Sequence, residues 1–404
     1  MREYLKSGIA ALLLGTMASC PLLANSKTIK IGILTDMSSA YADIAGKGVE
    51  VAARLALADS DIEKQGWKVE ILSADHQNKA DLGMNIARKW YDTEGVDAVL
   101  DLTNSAVALA VGELSREKNK VVLGSGPQSS DMTGKACSPN FVHWTSDTWA
   151  LAHGTAQAMV KRGGDSWFFV TADYAFGHAL QRDAAAIVVK EGGKVVGEAR
   201  APINTADFAS FLLQAQNSRA KVVGLANAGT DTTNAIKQAS EFGLMAGGQT
   251  VAGMLVYISD VHSLGLEFAK GIVLTEPFYW DLNDGTRAFS KRFGEGLKGR
   301  MPTMMQAGAY SATLHYLKTM AEMGPSRDGV AIVAKMKAMP TDDALFGKGR
   351  IREDGRKIHY MYLFEVKQPK ESKGPWDYYK LLATIPAEEA FRPMKDGGCP
   401  LVKQ

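Results

Sequence analysis

From Thr28 onward, short apolar runs alternate with helical stretches, and the whole alternation is gone through twice. In the first pass TIKIGILTDM reads as a strand and KGVEVAARLALAD as a helix, with Val49, Ala52, Ala53, Leu55 and Ala56 recurring near helical spacing. WKVEILSAD, VDAVLDLT and KVVLGSG continue as strands, separated by the helical segments NIARKWYDTEG and ALAVGELSREK. Strands that alternate with helices predict a parallel sheet covered on both faces. The pattern restarts after Asp147, with DSWFFVTAD, KVVGEARAP, AKVVGLANAG, QTVAGMLVY and KGIVLTEPF as strands, so the chain is expected to be α/β with two lobes. At 404 residues, 46% apolar and 22% charged, it is long enough for two hydrophobic cores.

The expected division is 1–24 as an export signal, 28–147 plus 277–342 as one lobe, 148–276 plus 343–385 as the other, and 386–404 as a C-terminal tail. The segment GRIREDGRKIHYMYLFEVK reads as a hairpin around Glu353, Asp354 and Gly355. At the start, Arg2 and Lys6 precede the apolar stretch 8–14 and then small residues, the layout of an export signal with cleavage after Ala24. The mature chain is therefore expected in the periplasm. Met17-Ala18-Ser19-Cys20 loosely resembles a lipoprotein signal with Met in place of the usual Leu, so lipidation at Cys20 is the lesser alternative. Loss of the leader leaves Cys137 and Cys399, an even pair in an oxidising compartment, which predicts a disulfide between them.

The net charge of +2 and the lack of any long Lys/Arg run argue against nucleic acid as a partner. The seven histidines are scattered, with no metal-ligand spacing, and Gly124-Ser125-Gly126-Pro127 is not the elbow of a hydrolase nucleophile. The Gly46-Lys47-Gly48 pair is too short for a dinucleotide or phosphate loop. No enzyme, metal or cofactor is expected from these residues; a secreted α/β enzyme is the alternative of another class.

Ligands of open α/β sheets bind beyond the carboxyl ends of the strands. Those ends carry Ser38, Ser39 and Tyr41; Thr103, Asn104 and Ser105; and Ser125, Gly126, Pro127 and Gln128 in the first lobe. In the second they carry Asp173, Tyr174 and Phe176, then Asn227, Ala228, Gly229 and Asp231, then Tyr257.

The runs ILTDMSSAYADIAGKGVEVAARLALAD, WFFVTADYAFGHALQRDAAAIVVKEGGKVVG and DFASFLLQAQNSRAKVVGLANAGTDTTNAIKQA resemble the type I periplasmic binding proteins of the leucine/isoleucine/valine-binding family, from about Thr28 to Val366. The resemblance implies two Rossmann-like lobes joined by three hinge crossovers, closing on a small molecule for an ABC permease, and a monomer is expected. It implies that Asn104, Ser105, Gly126 and Gln128 hold a ligand carboxylate, and that an aromatic at the position of Tyr174 and Phe176 covers the ligand. Family members that bind α-amino acids usually supply an acid for the ammonium from the next strand end, where this chain reads Ala252-Gly253-Met254-Leu255-Val256-Tyr257. That departure favours an aromatic or other apolar carboxylate over a branched-chain amino acid or amide, with Glu276 and Asp231 as substitute ammonium partners.

Overall fold

The computed structural model describes residues 27–403, so the export signal and Cys20 lie outside the described residues. Two parallel sheets organise the chain. The first has the order β2-β1-β3-β4-β5, where β1 is Thr28–Thr35, β2 Lys68–Asp75, β3 Ala98–Asp101, β4 Val121–Gly124 and β5 Phe141–His143. The second has the order β7-β6-β8-β9, with β6 Ser166–Ala172, β7 Lys194–Ala201, β8 Val222–Ala226 and β9 Thr250–Gly253. Every residue of β3, β4, β6 and β8 is buried, as expected of strands covered on both faces, whereas the edge strand β7 exposes its first residues.

The 20-residue helix Met304–Met323 is buried over nearly all its length and packs along helix Gly46–Ser60 of the first lobe. Close approach is possible because Gly48 has no side chain: a Cβ there would stand 2.1 Å from Gln306 Nε2. The sequence pattern missed β5, the helix Ile258–Leu264 and the strand Tyr379–Ile385. Conversely, QTVAGMLVY is a strand only to Gly253, after which the chain turns and Tyr257 opens a helix whose Asp260 carboxylate accepts the Tyr257 N–H at 2.9 Å.

After β9, β10 (Val273–Glu276) pairs antiparallel with Met361–Val366, which pairs in turn with Tyr379–Ile385. The segment 343–358, expected in the second lobe, lies on the first. Gly347–Ile351 and Lys357–Ile358 form the turn end of the expected hairpin, but its second arm breaks there and Met361–Val366 pairs elsewhere; Arg356 bridges to His143 at the edge of the first sheet and Asp343 accepts the Ser311 hydroxyl at 2.6 Å. The free edge of β5 recruits this backbone, so the third passage between lobes falls near His359. A fourth follows it: the tail returns to the first lobe, where Cys137 and Cys399 are bonded with Cα atoms 5.6 Å apart.

Two of these passages are laced together. Arg356, fully buried, donates to Ser146 O (3.1 Å) and Lys357 O (2.9 Å), with Asp147 Oδ2 3.6 Å away and the Phe391 ring 4.7 Å beneath its guanidinium. Removing Asp147 takes away the principal carboxylate facing this buried charge, leaving only the weaker pull of Asp354, and breaking a buried pair in this way typically costs about 3–5 kcal/mol. Asp147→Ala is therefore expected to lower the unfolding free energy by about 4 kcal/mol in guanidinium titration; an unchanged midpoint contradicts the pairing.

Candidate functional site

The strand ends of both sheets face one another across a narrow, almost filled cavity of about 10 Å³. Of the residues singled out in the sequence, Tyr41, Ser105, Gln128, Tyr174, Phe176 and Tyr257 line it. Thr103, Ile44, Ala228, Leu255 and Met305 complete the wall.

The loop after β1 is organised by Asp36. Its carboxylate accepts the N–H groups of Ser38, Ser39 and Tyr41, the Ser39 hydroxyl and the Asn78 amide. Ser38 Oγ bonds Asp75 Oδ2 at 2.5 Å. Ser38 and Ser39 thus shape the loop, and Tyr41 is the residue it presents to the cavity.

At the end of β3 the backbone is strained: Asp101 and Leu102 have φ of +83° and +61°. The surroundings hold them there. Leu102 N donates to Leu34 O at 2.9 Å, and Gly126 N to Asp101 O at 3.2 Å. The Asp101 side chain accepts the hydroxyls of Thr103 and Ser125; burial raises its pKa, against the pull of those hydroxyls. Gly126 must be glycine, because a Cβ would stand 2.6 Å from Thr103 Cα. Its place is under the wall rather than in it.

Asn104 caps helix Ser105–Glu117, its Oδ1 accepting Ala106 N (2.9 Å) and Val107 N (3.2 Å). Ser105, although buried, is the anchor that reaches the cavity. Its Oγ accepts two backbone N–H groups, from Gln128 and Ser129, each at 3.2 Å, which leaves its own proton to donate into the cavity. The Gln128 amide is engaged on both sides, donating to Gly126 O and accepting the Ser146 hydroxyl at 2.5 Å.

From the second lobe, Tyr174 reaches across, and its hydroxyl stands 2.6 Å from that of Tyr41. Burial pushes both phenols above their ordinary range, so they are neutral at physiological pH. Tyr257 is likewise raised by burial, and its hydroxyl is buried with no partner. Such a group costs free energy unless something bonds it. Phe176, 2% exposed, packs against Tyr174 with ring centroids 5.9 Å apart.

Asn227, Asp231 and Glu276 are buried near the cavity without lining it. Asn227 Oδ1 accepts the Thr232 hydroxyl at 2.6 Å while its Nδ2 is unpartnered. Asp231 accepts Asn204 N at 3.1 Å through Oδ2, and its Oδ1 has no partner. Glu276 Oε1 is also unpartnered, and burial followed by the charge of Asp260 raises this carboxyl well above its usual range.

Burial also raises Asp231 and Asp260 to about 7, against the backbone N–H bonds that pull each down. A carboxyl whose folded pKa is raised contributes stability that is complete below its ordinary value near 3.8 and lost as pH rises through 7. The urea midpoint is therefore expected to fall between pH 4.5 and 8, and to fall less in Asp260→Asn. Equal slopes in the two proteins contradict this assignment.

Sequence reasoning gave no signal for Ile44 or Met305. Both are ordinary apolar residues, and Met305 arrives from a helix more than 120 residues downstream of Tyr174. Thr103 stood beside the chosen anchors as a strand-end hydroxyl, a signal that was present.

Two parallel-sheet lobes with facing strand ends, joined by several chain passages and closed on an aromatic-walled cavity, define a ligand-capturing clamp. The sequence matches the family model described as periplasmic binding protein over residues 28–375, and the chain belongs to this family, type I and leucine/isoleucine/valine-binding protein-like, the solute-binding components of ABC transporters. It is similar to a periplasmic binding protein from Burkholderia mallei, with 48% identity, TM-score 0.90, and coverage of 93% of this chain and 100% of the other. It is also similar to a branched chain amino acid ABC transporter periplasmic ligand-binding protein from Burkholderia xenovorans, with 39% identity, TM-score 0.81, and coverage of 92% and 99%. A Rhodopseudomonas palustris solute binding protein in complex with 4-hydroxybenzoate shares the fold at 22% identity, TM-score 0.81, covering 90% and 98%. No curated protein matches the chain.

Proteins of this family and these neighbours are binding proteins of transporters rather than enzymes, and the family works outside the cytoplasm. Among the described residues no helix is long and apolar enough to cross a membrane.

Proposed function

We propose that the cleft captures a small monocarboxylate with a compact aromatic or apolar body and hands it to the ABC permease. The observation that carries this reading is the asymmetry of the cavity. One end offers hydroxyl donors at a helix start, with the Ser105 proton free, while Tyr41, Ile44, Phe176, Leu255 and Met305 make the rest apolar. A carboxylate at Ser105 keeps its charge bonded, and the body of the ligand replaces water against the walls. Capture proceeds by closure: the ligand seats on one lobe and shifts the open–closed equilibrium by its contacts with the other. No covalent step is involved.

A second reading has a specific observation behind it. Asp231 Oδ1 and Glu276 Oε1 are buried and unpartnered, and an ammonium would satisfy either, which favours a branched-chain amino acid. Thermal unfolding of protein that has been unfolded and refolded to strip retained ligand separates the two. Benzoate or 4-hydroxybenzoate at ~100 times its dissociation constant is expected to add about 2.7 kcal/mol. Stabilisation by leucine or valine alone defeats the aromatic-acid reading and makes Asp231 and Glu276 the residues to mutate.

A further inference from the structure

Beside the cavity, on the side of the chain passages, the lobes touch through a buried carboxylate. Asp183 lies on helix Ala175–Lys190 of the second lobe and is 6% exposed. Its Oδ2 accepts the Thr148 hydroxyl at 2.6 Å and, from the first lobe, the Ser130 hydroxyl at 2.7 Å; its Oδ1 accepts Arg182 Nε at 3.0 Å. Arg182 also crosses, donating to Ser130 Oγ at 2.9 Å and pairing with Asp131 at 3.1 Å.

This contact is wired to the ligand end of the first lobe. Ser130 N donates to Thr148 Oγ1 (3.1 Å), and Thr148 N donates to Gln128 O (2.7 Å), while Gln128 N and Ser129 N hold the Ser105 hydroxyl. From behind, Arg392 of the disulfide-bonded tail donates to Ser130 O at 2.9 Å, fixing the loop in place.

We infer that Ser130 and Asp183 are positioning residues for capture: they form a clasp between the lobes, outside the cavity, that stabilises the closed form directly and fixes the backbone carrying Gln128. A carboxylate this deeply buried needs all its donors, and one of the three comes only when the first lobe docks. Closure therefore draws on Asp183 as well as on the ligand.

The test reads closure far from the clasp. Thr230 N donates to Ala40 O across the lobes at 3.2 Å, so its amide exchange in the ligand-free protein reports opening. Ser130→Ala removes the crossing hydroxyl and leaves Thr148–Asp183 intact within the second lobe. The Thr230 amide is expected to exchange about tenfold faster in it, with the β8 amides of Val223 and Leu225 unchanged. Asp183→Asn is expected to shift Thr230 in the same direction. A Thr230 rate equal to that of the parent protein overturns the proposal, whether slow or fast in both. So does a rise matched at Val223 and Leu225, which reports loss of the whole lobe's stability instead.

Discussion

Gly229→Ala is expected to weaken capture at least a hundredfold while leaving each lobe folded. Gly229 precedes helix Thr230–Glu241 in the second lobe, at φ 60° and ψ −135°, a conformation that side-chain-bearing residues rarely adopt. A Cβ built there stands 2.3 Å from Ala40 O and 3.0 Å from Tyr41 Cδ1, both in the first lobe. The atom in the way is a backbone carbonyl held by the Asp36-organised loop, so it has little freedom to yield, and the lobes must stay apart by more than an ångström. Apparent affinity scales with the fraction of molecules able to close, and a hundredfold drop in that fraction weakens binding a hundredfold. Calorimetric titration with the ligand found in the thermal screen is expected to show at least that loss. The ligand-free variant should lose only about 1–3 kcal/mol of stability, from backbone strain. Binding at parental strength means that the lobes close differently from the arrangement described.

Replacing both Cys137 and Cys399 by serine has the largest expected effect on stability itself. The bond closes a loop with a sequence separation of 262 residues. Freeing a loop of that length restores much conformational entropy to the unfolded chain, worth about 5 kcal/mol. The tail is held by other contacts as well, including Phe391 against His359 with ring centroids 5.2 Å apart and Arg352 donating to Arg392 O at 2.9 Å. These keep it docked in the variant, so the loss should come from the unfolded state. Guanidinium titration of the double variant beside the oxidised parent measures it, and equal midpoints would falsify the entropic account.

The two-lobed α/β plan was legible because its central strands are uninterrupted apolar runs, such as AVL in β3 and WFFV in β6, separated by helices of clear period. Phe141–His143 was not, since three residues carry no periodicity, and its strand character comes from pairing with β4. The turn around Glu353, Asp354 and Gly355 is legible locally, but the break of its second arm after Ile358 and its seat on the first lobe are not: its partner, the open edge at His143, is some 200 positions away in the sequence and leaves no local mark. Strand-end reasoning brought Tyr41, Ser105, Gln128, Tyr174, Phe176 and Tyr257 to one cavity. It could not tell a hydroxyl or amide spent within its own loop, like Ser39 or Asn104, from one with a proton to give, like Ser105, because that depends on which backbone groups each one meets.

The phenol pair of Tyr41 and Tyr174 has a bearing on time as well as on fit. The two rings belong to opposite lobes and their hydroxyls bond beside the cavity, so the lobes cannot part without breaking that bond, and in the clamp mechanism proposed above a seated ligand leaves when they part. Departure then waits on the parting of the lobes, a collective motion of microseconds to milliseconds. A molecule that leaves only when its carrier opens can be carried some distance without being shed along the way. If docking on the permease parts the tyrosines, arrival and unloading become one event.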